Sequence, residues 1–83
     1  DKVWQSFFVG GRLTRIPAQL KKREIVLSRI AQEFAENRLY TESEVNEILT
    51  RYHEDYCTLR REMIACGFLK REHETYTAVG RAE

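Results

Sequence analysis

The sequence predicts a mainly α-helical domain with a small β-hairpin, arranged as a winged helix-turn-helix: a tri-helical core plus a wing, preceded by a short N-terminal helix. Three observations predict it. Apolar residues recur at helical spacing in three successive segments. Only a short turn separates the last two of these segments, and two strand-like segments follow them. With 83 residues the chain is long enough for one hydrophobic core, so we expect a single domain over residues 1–83.

The first part of the chain predicts a short helix, an extended segment and a longer helix. KVWQSFF groups its apolar side chains on one side of a helix: Val3, Trp4, Phe7 and Phe8. The glycine pair at 10–11 would end that helix, since glycine readily adopts the left-handed conformation. RLTRIP is extended, with Leu13 and Ile16 facing inward. Residues 18–36 then carry a helical apolar face: Leu20, Leu27, Ile30, Ala31 and Phe34.

The second and third predicted helices have clear boundaries. Thr41 and Glu44 have the spacing of a capping box at the start of the second helix, whose apolar stripe follows at once: Val45, Ile48, Leu49 and Tyr52. After the turn YHED, Asp55 is the expected N-cap of the third helix. The stripe of this helix comprises Tyr56, Leu59, Met63 and Cys66. Gly67 is the expected stop.

Two strand-like segments complete the pattern. FLKRE at 68–72 and TYTAV at 75–79 flank a two-residue turn, His73 and Glu74, and so predict a β-hairpin. A hairpin that follows three helices is the wing of the predicted fold. No internal repeat or low-complexity segment interrupts this order.

Charge is distributed unevenly although the net charge is only +1. Residues 12–29 contain six basic residues and one acidic residue, a net of +5. Residues 41–62, the predicted helix-turn-helix, contain six acidic and three basic residues, a net of −3. DNA affinity comes largely from Lys and Arg at phosphates. The basic stretch that could supply such contacts and the predicted reading helix lie in different parts of the chain.

Six segments resemble the bacterial domain of unknown function 2087: FF at 7–8, GRLTRIP at 11–17, KKREIVL at 21–27, YTESEVNEIL at 40–49, YHEDYCTLRREMI at 52–64 and GFLKR at 67–71. Members of that family occur alone or joined to helix-turn-helix regulators. The resemblance implies a winged-helix-like fold and a link to transcription, and it supplies no catalytic residues. The chain begins with Asp1 rather than Met, as a fragment of a longer regulator would.

One hypothesis is therefore DNA binding by a bacterial transcriptional regulator. Arg61 falls opposite the apolar stripe of the third helix with Thr58 beside it, where it can make a bidentate contact to guanine. The residues expected on phosphates are Arg12, Arg15, Lys22, Lys70 and Arg71. Arg60 lies at the edge of the stripe; it can bond a phosphate, but a structural pairing with a glutamate of the preceding helix is favoured.

The alternative is a winged-helix module that binds protein rather than DNA. Glu54 and Asp55 at the start of the third helix would repel phosphates, and the expected wing tip, EHE at 72–74, is acidic. In this interpretation the acidic helices face solvent or a basic partner. A protein partner or a second copy would then bind the N-terminal aromatic segment through Trp4 and Phe7, if these are exposed.

Other functions find little support in the sequence. No apolar run approaches the roughly 18 residues of a membrane span, so no membrane partner is expected. No phosphate-binding glycine loop or nucleophile motif is present, so we expect no enzyme activity and no cofactor. His53, Cys57 and His73 lack the paired spacing of a metal site. Cys57 and Cys66 would lie about 13 Å apart on one helix, too far for a disulfide, and free thiols favour the cytoplasm.

Overall fold

The computed structural model describes residues 3–79. This part of the chain contains a 3₁₀ helix, three α-helices and five short strands. The 3₁₀ helix spans Val3–Phe7. The α-helices are α1 (Leu20–Ala31), α2 (Glu42–Thr50) and α3 (Tyr56–Ala65). The strands are β1 (Phe8–Val9), β2 (Arg12–Leu13), β3 (Tyr40–Thr41), β4 (Leu69–Glu72) and β5 (Thr75–Ala78). The result is a small mixed α/β fold with two antiparallel sheets, and its β content exceeds the single hairpin predicted from the sequence.

The N-terminal segment differs from the prediction. It forms a single 3₁₀ element and then a hairpin, in which Phe8 pairs with Leu13 and Val9 pairs with Arg12. Gly10 and Gly11 have φ values of 59° and 80°. A turn with two consecutive positive-φ residues matches the right-handed twist of the strands that it connects. The glycine pair therefore reverses the chain between β1 and β2 instead of ending an α-helix. The side chain of Val3, predicted on the apolar face of that helix, lies outside the described part of the chain.

Helix α1 is shorter than the predicted span of residues 18–36. Its first residue, Leu20, is 53% exposed and not part of the apolar face, because the first turn lies before the point where the helix meets the core. After α1 the chain turns, and Phe34 reaches the core from outside the helix, with its ring centroid 5.2 Å from that of Tyr40. The Tyr40 hydroxyl accepts a hydrogen bond from the Ala35 amide at 2.7 Å, which holds this turn against β3.

Helices α2 and α3 begin at the residues that the sequence predicts, and α3 also ends at its predicted stop. Helix α2 ends at Thr50, so Tyr52, predicted as the last residue of its apolar stripe, lies beyond the helix. The Thr41 hydroxyl accepts from the Glu44 amide at 3.1 Å, and the Glu44 carboxylate accepts from the Thr41 amide at 3.0 Å, which completes the capping box. Asp55 caps α3 through the Thr58 amide at 3.3 Å. At the other end Gly67 has φ 83°, and the Phe68 amide donates to the Met63 carbonyl in a Schellman motif.

The C-terminal hairpin is tied back to the helices by a third strand. The sheet order is β3-β5-β4, so Tyr76 in β5 pairs with Tyr40 on one side and Arg71 on the other. The buried Tyr76 ring directs its hydroxyl to the Glu42 carboxylate at 2.8 Å. Burial and this hydrogen bond raise the pKa of Tyr76. Because Glu42 is the first residue of α2, this bond joins the sheet to that helix.

One cluster of buried residues joins all these elements. It receives side chains from the 3₁₀ helix, β2, the three α-helices and the three-stranded sheet: Phe7, Leu13, Val26, Leu27, Ile30, Phe34, Tyr40, Val45, Leu49, Leu59, Met63, Phe68, Leu69 and Tyr76. Ile16 and Tyr52, both predicted to face inward, are half-buried against it. Within residues 3–79 no helix is long and apolar enough to cross a bilayer.

Candidate nucleic-acid interface

The outer face of α3 is the surface on which the predicted reading residues lie. Leu59 and Met63 are fully buried, whereas Arg61 and Ala65 are exposed and Thr58 is half-buried. Arg61 therefore projects to solvent from the side of α3 opposite the core. The helical spacing of the sequence is sufficient to assign these orientations.

A hydrogen-bond chain runs along this face. The Thr58 hydroxyl donates to the Asp55 carboxylate at 2.8 Å, and the same hydroxyl oxygen accepts from Arg61 Nη2 at 3.3 Å. The bonds from Thr58 hold the pKa of the Asp55 carboxyl below its usual value, and the Arg61 charge adds to the effect. Asp55 is therefore ionised at neutral pH, and a negative charge lies beside the predicted reading residue.

Arg60 has a structural role, but not with the partner expected from the sequence. Its guanidinium donates to the side-chain oxygen of Asn46 in α2, not to a glutamate. The bond is partly buried and joins α3 to α2. Spacing alone identified the correct neighbouring helix, but the partner was wrong because the choice among residues depends on how the helices cross.

Arg12, predicted on a phosphate, lies instead at the C-terminal end of α2. Its Nη1 donates to the carbonyl oxygens of Thr50 at 3.1 Å and Arg51 at 2.9 Å. The Leu13 amide adjoins this contact and donates to the Tyr52 carbonyl at 2.8 Å. Arg12 thus satisfies carbonyls that the end of a helix leaves unpaired, and a positive charge is favourable there.

Four of the remaining basic residues of the 12–29 stretch lie near the start of α1, whereas Arg29 lies in its last turn. Arg15 is exposed with its guanidinium carbon 5.0 Å from the ring centroid of Phe7, and Lys22 is exposed in the first turn. Arg23 donates to the carbonyl oxygens of Pro17 and Ala18 and pairs with Glu62 of α3 at 3.1 Å, contacts that the run of basic residues does not predict. This ion pair holds the start of α1, and with it Lys22, beside α3.

Both basic residues of the hairpin β4–β5 have partners within the hairpin. Lys70 pairs with Glu72 at 3.4 Å, and both groups are well exposed. Arg71 donates from Nε to the His73 carbonyl at 3.0 Å and lies over the Tyr76 ring. Since exposed ion pairs contribute little, these local contacts leave Lys70 and Arg71 free to exchange partners.

The N-terminal aromatic residues do not form the exposed pair considered from the sequence. Phe7 is only 4% exposed and belongs to the core, so it is not a contact residue. Trp4 is half-buried, and its ring centroid lies 6.0 Å from that of Phe8. The guanidinium carbon of Arg29 lies 4.1 Å from the Trp4 ring centroid. Phe8 in turn lies 6.2 Å from Tyr52, which links the 3₁₀ helix to the end of α2.

Open depressions and two free cysteines are further features of the surface. A depression of about 800 Å³ is open to solvent and lies along α1, with Trp4 and Cys66 on its lining. Cys57 and Cys66 are both free and half-buried. Among the residues from 3 to 79, no three His, Cys, Asp or Glu side chains are grouped to hold a metal ion.

Comparison with known proteins identifies the family. Residues 12–78 match the model of a family described as an uncharacterized protein conserved in bacteria, DUF2087. No curated protein and no solved structure matches the chain. The matched span begins at Arg12 in β2 and includes every α-helix and the three-stranded sheet, whereas the 3₁₀ helix and β1 precede it. The chain belongs to the DUF2087 family.

Proposed function

We propose that the chain is the winged-helix domain of a bacterial transcriptional regulator and that it binds duplex DNA through the outer face of α3. The observation that carries this proposal is the topology. The chain has three α-helices, a short strand before α2 and a hairpin after α3. The short strand and the hairpin form one sheet of order β3-β5-β4. In a winged helix-turn-helix the helix that corresponds to α3 enters the major groove.

Exposed basic side chains on α3 and on the elements that contact it, α1 and β4, support the proposal. Arg61 is exposed on α3, and Lys22 is held beside α3 by the ion pair between Arg23 and Glu62. Lys70 and Arg71 are exposed on the strand that follows α3. An arginine can contact guanine in two places at once, while the lysines neutralise phosphates. Arg12 leaves the set of phosphate contacts, because it caps α2.

A second candidate function is a protein-binding winged helix, and one observation favours it. The ionised Asp55 and the exposed Glu54 lie together at the N-terminal end of α3, where a DNA-reading helix normally meets phosphates. In this case the acidic face of α2 and α3 binds a basic protein partner. In either case we propose a non-catalytic domain without a cofactor, which acts in the cytoplasm, where Cys57 and Cys66 remain reduced.

Titration of the 83-residue chain with random-sequence duplex DNA at low and high salt tests the first candidate. We expect an affinity that falls steeply with salt, because binding releases counterions from phosphates. Arg61→Ala should then remove the preference for a duplex selected from the random pool. Arg38→Ala is a matched control, since Arg38 is an exposed arginine that pairs with Glu44 away from α3. Absence of binding at low salt would exclude the DNA function and favour the protein-binding candidate.

A further inference from the structure

The chain of contacts from Asp55 through Thr58 to Arg61 does more than cap a helix. A cap needs only one acceptor, and Asp55 Oδ1 fills that role by accepting from the Thr58 amide at 3.3 Å. The second oxygen, Oδ2, accepts from the Thr58 hydroxyl at 2.8 Å. The hydroxyl then has its oxygen directed at Arg61 Nη2, 3.3 Å away. Each carboxylate oxygen therefore has a separate partner, and only one of them serves the backbone.

The direction of the chain is determined by its chemistry. A guanidinium can only donate and an ionised carboxylate can only accept, so the hydroxyl between them must accept from Arg61 and donate to Asp55. Because Asp55, Thr58 and Arg61 are spaced three residues apart, their side chains occupy one face of α3. The arrangement draws the long Arg61 side chain back towards the N-terminal end of the helix.

Arg61 keeps enough donors for a ligand in this position. Arginine has five N–H groups in a planar fork, and the bond to Thr58 uses only one of them. The other donors can still form two parallel bonds to the O6 and N7 acceptors of guanine. A side chain that is already oriented loses less conformational entropy when it binds.

We propose that Asp55 and Thr58 are positioning residues that hold Arg61 in the orientation for a bidentate contact to guanine, and so contribute to sequence preference. This inference rests on the proposed DNA function. It also accounts for the acidic residue at the start of the reading helix: the Asp55 charge lies where Arg61 offsets it, and it is required to orient that arginine.

Three variants test the arrangement on DNA. The probes are a duplex selected by the chain from a random pool and a second duplex with that sequence scrambled. Thr58→Val removes the hydroxyl but keeps the branched shape, and should lower the preference for the selected duplex by about three- to tenfold, the range of one hydrogen bond. Thr58→Ser keeps the hydroxyl and should restore the preference. Thr50→Val, at an exposed threonine of α2, is the matched control and should change nothing.

A double-mutant cycle distinguishes positioning from a direct contact of Thr58 with DNA. If Thr58 acts through Arg61, Thr58→Val should have no further effect in the Arg61→Ala background. Equal effects of Thr58→Val in both backgrounds would overturn the inference. An unchanged preference in Thr58→Val alone would overturn it as well.

A measurement without DNA separates this inference from the proposed function. The titration of the Asp55 carboxyl, followed by NMR, should move towards the usual range in Thr58→Val and, to a smaller extent, in Arg61→Ala. If the carboxyl titrates normally in the unaltered chain, the positioning arrangement does not exist in solution. If Thr58→Val and Arg61→Ala both shift the titration but the chain binds no DNA, the arrangement stands and the DNA function fails.

Discussion

Arg12 donates from Nη1 to the carbonyl oxygen of Thr50 at 3.1 Å, although 38 residues separate the two along the chain. The same nitrogen reaches the Arg51 carbonyl, and the neighbouring Leu13 amide reaches the Tyr52 carbonyl. Strand β2 thus closes the end of α2 at the point where the chain turns towards α3. The orientation of α2 relative to the turn before α3 therefore depends on a residue from the N-terminal hairpin.

The contact at the end of α2 predicts that Arg12→Ala lowers the free energy of unfolding. Two helix carbonyls lose a charged donor, and we expect a loss of about 1 kcal/mol because the contact is exposed to water. Lys22→Ala is the control: this side chain is exposed, and its loss should change stability by less than about 0.5 kcal/mol. Urea denaturation measures both. Equal stabilities of the two variants would contradict the role of Arg12 as a cap.

Two leucines of α1 should lose very different amounts of stability on the same substitution. Leu27 is 0% exposed, so Leu27→Ala leaves a cavity and should cost about 3 kcal/mol of unfolding free energy. Leu20 is 53% exposed, so Leu20→Ala should cost less than about 0.5 kcal/mol. Thermal unfolding followed by circular dichroism compares them directly. A large loss in Leu20→Ala would show that α1 begins deeper in the core than described.

The lowered pKa of Asp55 predicts a stability difference that disappears in acid. Hydrogen bonds from Thr58 favour the ionised carboxylate in the folded state. Its contribution is therefore complete above the unfolded pKa of about 3.9 and is lost as pH falls below that value towards the folded pKa. Asp55→Asn keeps a good N-cap without a titrating group. Denaturant midpoints measured from neutral to acidic pH should converge for the two proteins; a gap of constant size would refute the prediction.

Tyr52 should titrate later than an ordinary tyrosine. Burial, followed by the hydrogen bond and the charge of Glu33, raises the pKa of Tyr52 from 10.0 to about 12. The folded state therefore gains stability from this group below pH 10, and that gain is lost as pH rises through about 12. Glu33→Gln should lower the pKa of Tyr52 towards its usual value, because the nearby negative charge is removed.

Phenolate absorbance measures this shift, and Tyr52→Phe identifies which of the four tyrosines produces it. The control is Glu47→Gln, an exposed glutamate of α2, which should leave the late titration in place. If Glu33→Gln and Glu47→Gln give the same titration curve, the Glu33 carboxylate does not act on the Tyr52 hydroxyl.

Features that depend on near neighbours in the sequence could be predicted. The capping box of Thr41 and Glu44, the Asp55 cap and the Gly67 stop all join atoms within a few residues of one another. The exposure of Arg61 follows from the helical repeat alone. The same local information predicted the hairpin of β4 and β5, whose two-residue turn contains His73 at a positive φ of 58°.

Features that depend on distant partners could not be predicted in the same way. The glycine pair is compatible with a helix stop and with a hairpin turn, and only the pairing of Phe8 with Leu13 selects the turn. The ion pair of Arg23 with Glu62 spans two helices, so a run of basic residues gave no sign of it. The sequence allowed Phe7 to be a surface contact residue, but the 3₁₀ helix packs against α1 and the Phe7 side chain is buried.

The sequence by itself determined where α2 starts, where α3 starts and stops and which face of α3 meets solvent, because capping and helical periodicity act over one or two turns. Only the tertiary structure decided that β3 joins the hairpin, that Arg12 caps α2 and that Arg60 bonds Asn46. Those contacts form when the core brings distant segments together, and a side chain then bonds the acceptor that its fixed backbone position allows. The role of each basic residue is set at that stage.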